Sequence, residues 1–209
     1  MAWHPEVLPD AWVRAAGDLA SRSVLDGFYL AGGTGLALQY GHRRSVDLDL
    51  FREREFDSAR IGDRLRGQQG LERVALQEGT THLTLHGVKV SLLHYPYPVL
   101  FPLRSYRDLP VADPRDIGCM KIQAIGDRGS RRDFVDLYLV ASRHGLGDLL
   151  ECFGRKYAAV AYSRAHYLKA LTYFTDAEAE PMPAMLIPLD WETVTAYFTT
   201  EAPRLARLA

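Results

Sequence analysis

Two stretches decide the fold: Phe28-Tyr29-Leu30-Ala31-Gly32-Gly33-Thr34 and Ser45-Val46-Asp47-Leu48-Asp49-Leu50-Phe51. Gly27 interrupts the preceding helical pattern, and Phe28 to Ala31 is an apolar run with the length of a buried strand. Gly32-Gly33 is expected to form a tight turn into a short helix, Thr34 to Tyr40, which Gly41 ends at its C′ position. Val46 to Phe51 is expected to be the next strand. Residues at i and i+2 of a strand share a face, so Asp47 and Asp49 point one way while Val46, Leu48 and Leu50 enter the core. Such carboxylates stand about 7 Å apart along the strand and converge on one or two divalent cations. A glycine pair before a helix N-terminus lets backbone N–H groups approach a phosphate closely. Taken alone, Gly-Gly-Thr is an ordinary strand–turn–helix joint and Asp-x-Asp a solvated strand; the order of the two gives the pair its meaning.

Around this centre the chain changes texture near residue 112. An amphipathic helix, Asp10 to Arg22, precedes the first strand, and a second helix, Phe56 to Gly67, follows the acidic one. Leu71–Gln77, Thr81–His86 and Val88–His94 read as strands, with Gly87 at the turn joining the last two. Prolines 96, 98 and 102 mark Tyr95 to Leu109 as a loop with at most one extended piece. After it the pattern is helical: Asp113-Pro114 opens a helix running to Ile125, and Arg131–His144, Leu146–Tyr157, Arg164–Phe174 and Trp191–Phe198 follow. The expected fold is α+β, a mixed sheet with flanking helices over residues 1–111. A helical lobe over 112–209 is expected to pack over the active-site cleft.

The 209 residues include 25 Lys+Arg against 26 Asp+Glu, a net charge of -1, with 47% hydrophobic and 24% charged residues. A chain of that length buries roughly 70% of its unfolded surface, so neither disorder nor a stapled mini-domain is indicated. A bulk polyanion binder is excluded, although one local basic site is not. Cys119 and Cys152 lack metal-ligand spacing and read as reduced thiols. Neither a signal-peptide pattern nor an apolar run of about 20 residues occurs, so a cytoplasmic protein without a membrane partner is expected. No Gly-x-Ser-x-Gly elbow or P-loop is present.

Ala31-Gly-Gly-Thr-Gly-Leu-Ala-Leu38 with Gly41-His-Arg-Arg-Ser-Val-Asp-Leu-Asp-Leu-Phe51 resembles the nucleotidyltransferase signature of the AbiEii/AbiGii toxin family, within the DNA polymerase β-like superfamily. Asp116-Ile-Gly-Cys-Met-Lys121-Ile-Gln-Ala-Ile125 and Arg128-Gly-Ser-Arg-Arg-Asp133-Phe-Val-Asp136-Leu-Tyr-Leu139 resemble its later motifs. The resemblance implies a nucleotidyltransferase that uses an NTP, with RNA, in particular tRNA, as acceptor and a cognate antitoxin as partner. It implies that Gly32, Gly33 and Thr34 hold the nucleotide phosphates, with Arg44 and Ser45 beside them. Asp47 and Asp49 would bind Mg²⁺ or Mn²⁺, Lys121 would reach the triphosphate or acceptor, and Asp133 and Asp136 would form the later acidic motif.

One position departs from the superfamily's pattern. Ser91 stands where a third carboxylate is usual, on the strand face it shares with Lys89. A hydroxyl is no general base, so another group must take the acceptor's proton, with Asp133 or Asp136 the expected substitute. Otherwise the chain is a catalytically weakened module that binds nucleotide or a partner. An Asp-x-Asp glycosyltransferase is a third possibility, less suited to the upstream Gly-Gly-Thr. Arg128, Arg131 and Arg132 are expected to meet an anion, and Arg60, Arg64 and Arg66 to be a solvated helix face. Arg155, Lys156, Arg164 and Lys169 form a further basic helical set, and Tyr95 and Tyr97 cap a core edge or stack a base.

Overall fold

The computed structural model describes residues 2–207. The chain divides into two compact units, Met1–Pro98 with Pro102–Ala112, and Val99–Phe101 with Asp113–Ala209.

The first unit is built on a seven-stranded mixed sheet. Its strands are β1 (Tyr29–Leu30), β2 (Leu48–Arg52), β3 (Leu71–Gln77), β4 (Thr80–Leu85), β5 (Val88–His94), β6 (Arg104–Tyr106) and β7 (Leu109–Val111), in the order β3-β4-β5-β2-β1-β7-β6. The β2–β5 and β1–β7 pairs are parallel and the rest antiparallel. Helices α1 (Asp10–Ser21), α2 (Gly32–Tyr40) and α3 (Ser58–Arg64) complete it. Leu48, Leu50, Leu83, Leu85, Val90 and Leu92 alternate onto one sheet face and join Trp12, Leu19, Val24 and Phe28 in the core. Burying each such side chain contributes about 1.5–3 kcal/mol. The other face keeps the residues between them, Asp49, Lys89, Ser91 and His82 among them.

Several local expectations change. The acidic strand begins at Leu48, so Asp47 precedes it and Val46 is 56% exposed instead of entering the core. The cause is a different set of hydrogen bonds: Ser45 N–H donates to the Val7 carbonyl and the Thr34 hydroxyl to the Asp47 carbonyl, which takes this segment out of the ladder. The glycine pair is the first turn of α2, not a turn before it. The proline-rich segment ends in a β6–β7 hairpin where a loop is expected. Its two turn residues, Arg107 and Asp108, both adopt positive φ, the geometry whose twist matches a two-residue hairpin. His86 and Gly87 turn β4 into β5 in the same way.

The second unit is helical: α4 (Pro114–Asp127), α5 (Arg131–His144), α6 (Leu146–Lys156), α7 (Arg164–Ala170), α8 (Thr175–Glu178) and α9 (Trp191–Ala206). Asp113 caps α4 by accepting from Arg115 N–H, with Pro114 in the first turn. Phe134 on α5 sits among Phe174, Trp191 and Phe198, with ring centroids 5.1–6.0 Å away. Helix α7 stops at Ala170, short of the expected Phe174, and α9 continues past Phe198 with Pro203 inside it. Among the described residues, no helix is long and apolar enough to cross a membrane. Both cysteines are free thiols, and burial pushes Cys119 up to about 12.

Candidate active site

In the first unit the start of α2 and the acidic strand meet. Gly32 has a φ of +62°, and a Cβ there would stand 3.2 Å from Asp49 Oδ2. A side chain would therefore be strained and would crowd the carboxylate. The Ala31 N–H donates to the Asp49 carbonyl at 3.2 Å, which holds the helix start against β2. No side chain caps α2. Its first-turn amides have no intrahelical acceptor and carry the positive end of the helix dipole. Asp47 and Asp49 are both half-buried, so the carboxylates are supported by the fold and still reached by solvent.

Thr34 is held within the fold. It is buried, and its hydroxyl donates to the Asp47 carbonyl at 2.6 Å and pairs with Ser45 Oγ at 2.7 Å. It braces α2 to the acidic segment. Ser45 is the other half of that brace, Arg44 is exposed, and Arg43 is buried with its guanidinium donating to the Arg44 carbonyl. Gln39, which the sequence does not single out, ties α2 to the end of β7 by donating to the Gly35 and Ala112 carbonyls, both at 2.9 Å.

The donor set fits a hard divalent cation. It is all oxygen and half open, and such ions are commonly held by one or two carboxylates while substrate phosphates and water complete the shell. Among the described residues no three His, Cys, Asp or Glu side chains gather as a metal site, so substrate would complete the coordination.

The sheet register extends the site sideways. Asp49 pairs with Ser91 across β2–β5, and Ser91 with His82 across β5–β4. His82 Nδ1 lies 3.2 Å from Ser91 Oγ. Beyond Phe51, Tyr95 and Tyr97 form an edge-to-face ladder with centroids 5.4 and 4.8 Å apart, packed along the rim of the sheet.

In the second unit Lys121, Asp133 and Asp136 form one buried charge cluster. Lys121 Nζ lies 2.7 Å from Asp133 Oδ1 and 2.7 Å from Asp136 Oδ2. Arg128 Nε reaches Asp133 Oδ2 at 3.1 Å, and Ser130 Oγ donates to that oxygen at 2.6 Å. Burial pushes the Asp133 carboxyl up, but Lys121 and Arg128 outweigh it and hold it at about 2. A carboxylate so stabilised is a poor proton acceptor, which argues against Asp133 as the substitute base. Asp133 and Asp136 stand three residues apart on α5, so both meet the single Lys121 of α4 from one helix face.

Other basic residues sort themselves by contact. Arg131 donates to the Ala177 and Glu178 carbonyls and lies over the Trp191 ring, so it anchors α5 to α8. Lys156 is buried 2.8 Å from Asp116, which also accepts from the Leu100 and Phe101 N–H groups. It is therefore no part of a basic surface. Arg66, just past the end of α3, pairs with Asp63 on that helix, both exposed.

The family described as nucleotidyl transferase AbiEii toxin, type IV toxin–antitoxin system, matches residues 17–83 and 86–207. The protein aq_aa25 of Aquifex aeolicus (strain VF5) is 36% identical over 186 residues, which cover 86% of this chain and 88% of that protein. Among solved structures, MenT4, nucleotidyltransferase toxin Rv2826c from Mycobacterium tuberculosis H37Rv, has the same fold with a TM-score of 0.58 at 17% identity, over 99% of this chain and 88% of its own. JHP933 from Helicobacter pylori gives a TM-score of 0.53 at 16% identity, over 96% and 94%. With the glycine-led helix, the acidic strand and the later Lys-Asp-Asp set all present in a sequence matched along nearly its whole length, the chain belongs to the AbiEii toxin family and is a nucleotidyltransferase.

Proposed function

We propose that this enzyme moves a nucleotidyl group from an NTP to an RNA acceptor, tRNA in particular, as a toxin held in check by a cognate antitoxin. The observation that carries the site is the approach of the Asp49 carboxylate to Gly32, close enough that an added Cβ would stand 3.2 Å from Oδ2, beside a helix N-terminus. The α2 amides at Gly32 and Gly33 would receive phosphate oxygens, and Asp47 and Asp49 would hold Mg²⁺, with Mn²⁺ as an alternative. The cation supplies charge neutralisation and orientation of the phosphates for in-line attack. Arg44 is exposed next to this segment and offers a bidentate donor to phosphate. Thr34 and Ser45 keep Asp47 in place. The Lys121–Asp133–Asp136 cluster is assigned to holding α4 on α5, so that any group these helices present keeps its position.

The test is incorporation of label from each α-labelled NTP into total RNA, with and without Mg²⁺. Wild type is expected to label RNA with one preferred NTP, and Asp49→Ala to label it about 10²–10³-fold more slowly. If wild type labels no acceptor with any NTP, the nucleotidyl-transfer reading is lost; NTP binding without turnover would then favour the weakened module, for which Ser91 is the motivating feature.

A further inference from the structure

Transfer to a hydroxyl requires a proton acceptor, and the two acids expected for that work are buried within an ion cluster. The open sheet face of the first unit offers a different group. Asp49, Ser91 and His82 occupy one row on three neighbouring strands, with side chains on the same face. Adjacent strands lie about 4.8 Å apart, so the His82 backbone is about 10 Å from that of Asp49. The imidazole leans back along the row, with Nδ1 3.2 Å from Ser91 Oγ. It thus stands over the position where the superfamily's third carboxylate would be, and it is exposed to an incoming substrate.

We propose that His82 is the general base of this nucleotidyltransferase and that Ser91 is its positioning residue, an assignment that rests on the nucleotidyl-transfer reading above. The acceptor oxygen forms its bond to the α-phosphorus as the bond from that phosphorus to the β-phosphate oxygen breaks. Pyrophosphate leaves with the electron pair, and the hydroxyl proton moves to His82 Nε2. In this assignment Nδ1–H donates to Ser91 Oγ, which leaves Nε2 free to take the proton. The charged groups facing His82 are Lys89 on β5 and Arg73 on β3, each two pairs along the ladder and so on the same face, and Asp49 across Ser91 with Asp47 beyond it. Helix α3 packs on the opposite sheet face, where Gly62 meets Leu76, and presents nothing to the imidazole.

The test uses the full chain with total tRNA and the preferred labelled NTP. His82→Ala is expected to lower the single-turnover rate about 10²–10³-fold and to leave the KM for NTP within about threefold. The acidic limb of the pH–rate profile should disappear in the same variant, and added imidazole should restore rate to His82→Ala but not to Asp49→Ala. Ser91→Ala is expected to cost about tenfold. Independently of turnover, long-range ¹H–¹⁵N spectra should show the neutral His82 ring as the Nδ1–H tautomer in wild type and lose that preference in Ser91→Ala. Calorimetric Mn²⁺ affinity should be the same in His82→Ala and wild type. A His82→Ala enzyme within about threefold of wild type overturns the assignment. So does a rate loss that imidazole does not restore and that leaves the pH profile unchanged. A wild type that transfers nothing overturns the nucleotidyl-transfer reading as well, whereas an active wild type indifferent to His82 overturns this assignment alone.

Discussion

Asp47 and Asp49 keep part of their surface in solvent, whereas Asp133 and Asp136 lose all of theirs. The first pair is braced through its backbone, by the Thr34 hydroxyl on the Asp47 carbonyl and by Ala31 on the Asp49 carbonyl. That bracing spends no carboxylate oxygen. The second pair is satisfied through its carboxylates, which take Lys121, Arg128 and Ser130. Two like charges about 7 Å apart along one segment and half open are placed to share a cation. Two buried acids with a lysine between them are already compensated. The contrast separates half-open acids beside a helix start from buried acids that join two helices, although both pairs look alike as spaced aspartates in the sequence.

The largest test of this contrast falls on the buried cluster. Lys121→Met should destabilise the fold by about 3–5 kcal/mol, because it leaves two carboxylates without their shared cation. Urea unfolding measures it, and a midpoint unchanged from wild type would dissolve the contrast. Asp49→Ala should do the reverse: a loss of about 10²–10³-fold in nucleotidyl transfer with no loss of stability, read by single-turnover kinetics beside thermal unfolding.

Acid sharpens the comparison further. The folded Asp133 carboxyl lies at about 2 against an ordinary value of 3.8. A lowered folded value contributes stability that is fully present above 3.8 and lost as pH falls through about 2, on the order of 2 kcal/mol. Urea midpoints between pH 5 and pH 2 should fall in wild type, and Asp133→Asn should remove that share of the slope. Gly32→Ala has a smaller expected effect on stability than either of these, about 1–2 kcal/mol from its positive φ. Its Cβ would meet Asp49, so Mn²⁺ affinity measured by calorimetry should weaken as well.

Much of this was legible before any coordinates. Strands β3 and β5 begin and end where alternation and Gly87 place them, and α5 spans the expected Arg131–His144. Strong periodicity between clear breaks explains that success. The β6–β7 hairpin was not legible, because its turn uses Arg107 and Asp108, residues that carry no left-handed signature of the Asn-Gly kind. Val46 looked like a core residue because alternation extends one step too far when side-chain hydrogen bonds, here from Thr34, take over from the ladder.

By itself the sequence determined that this chain has a glycine-led helix and an acidic strand in the order a nucleotidyltransferase needs, followed by a helical half. Those signals are local, carried by residue types at fixed spacing. Only the tertiary structure decided which polar residues are already spent and which remain available. Thr34 and Lys121 are consumed by neighbours far along the chain, and His82 joins the row of Asp49 through strand register. Register and burial arise from pairing between distant segments, and no spacing within one segment encodes them.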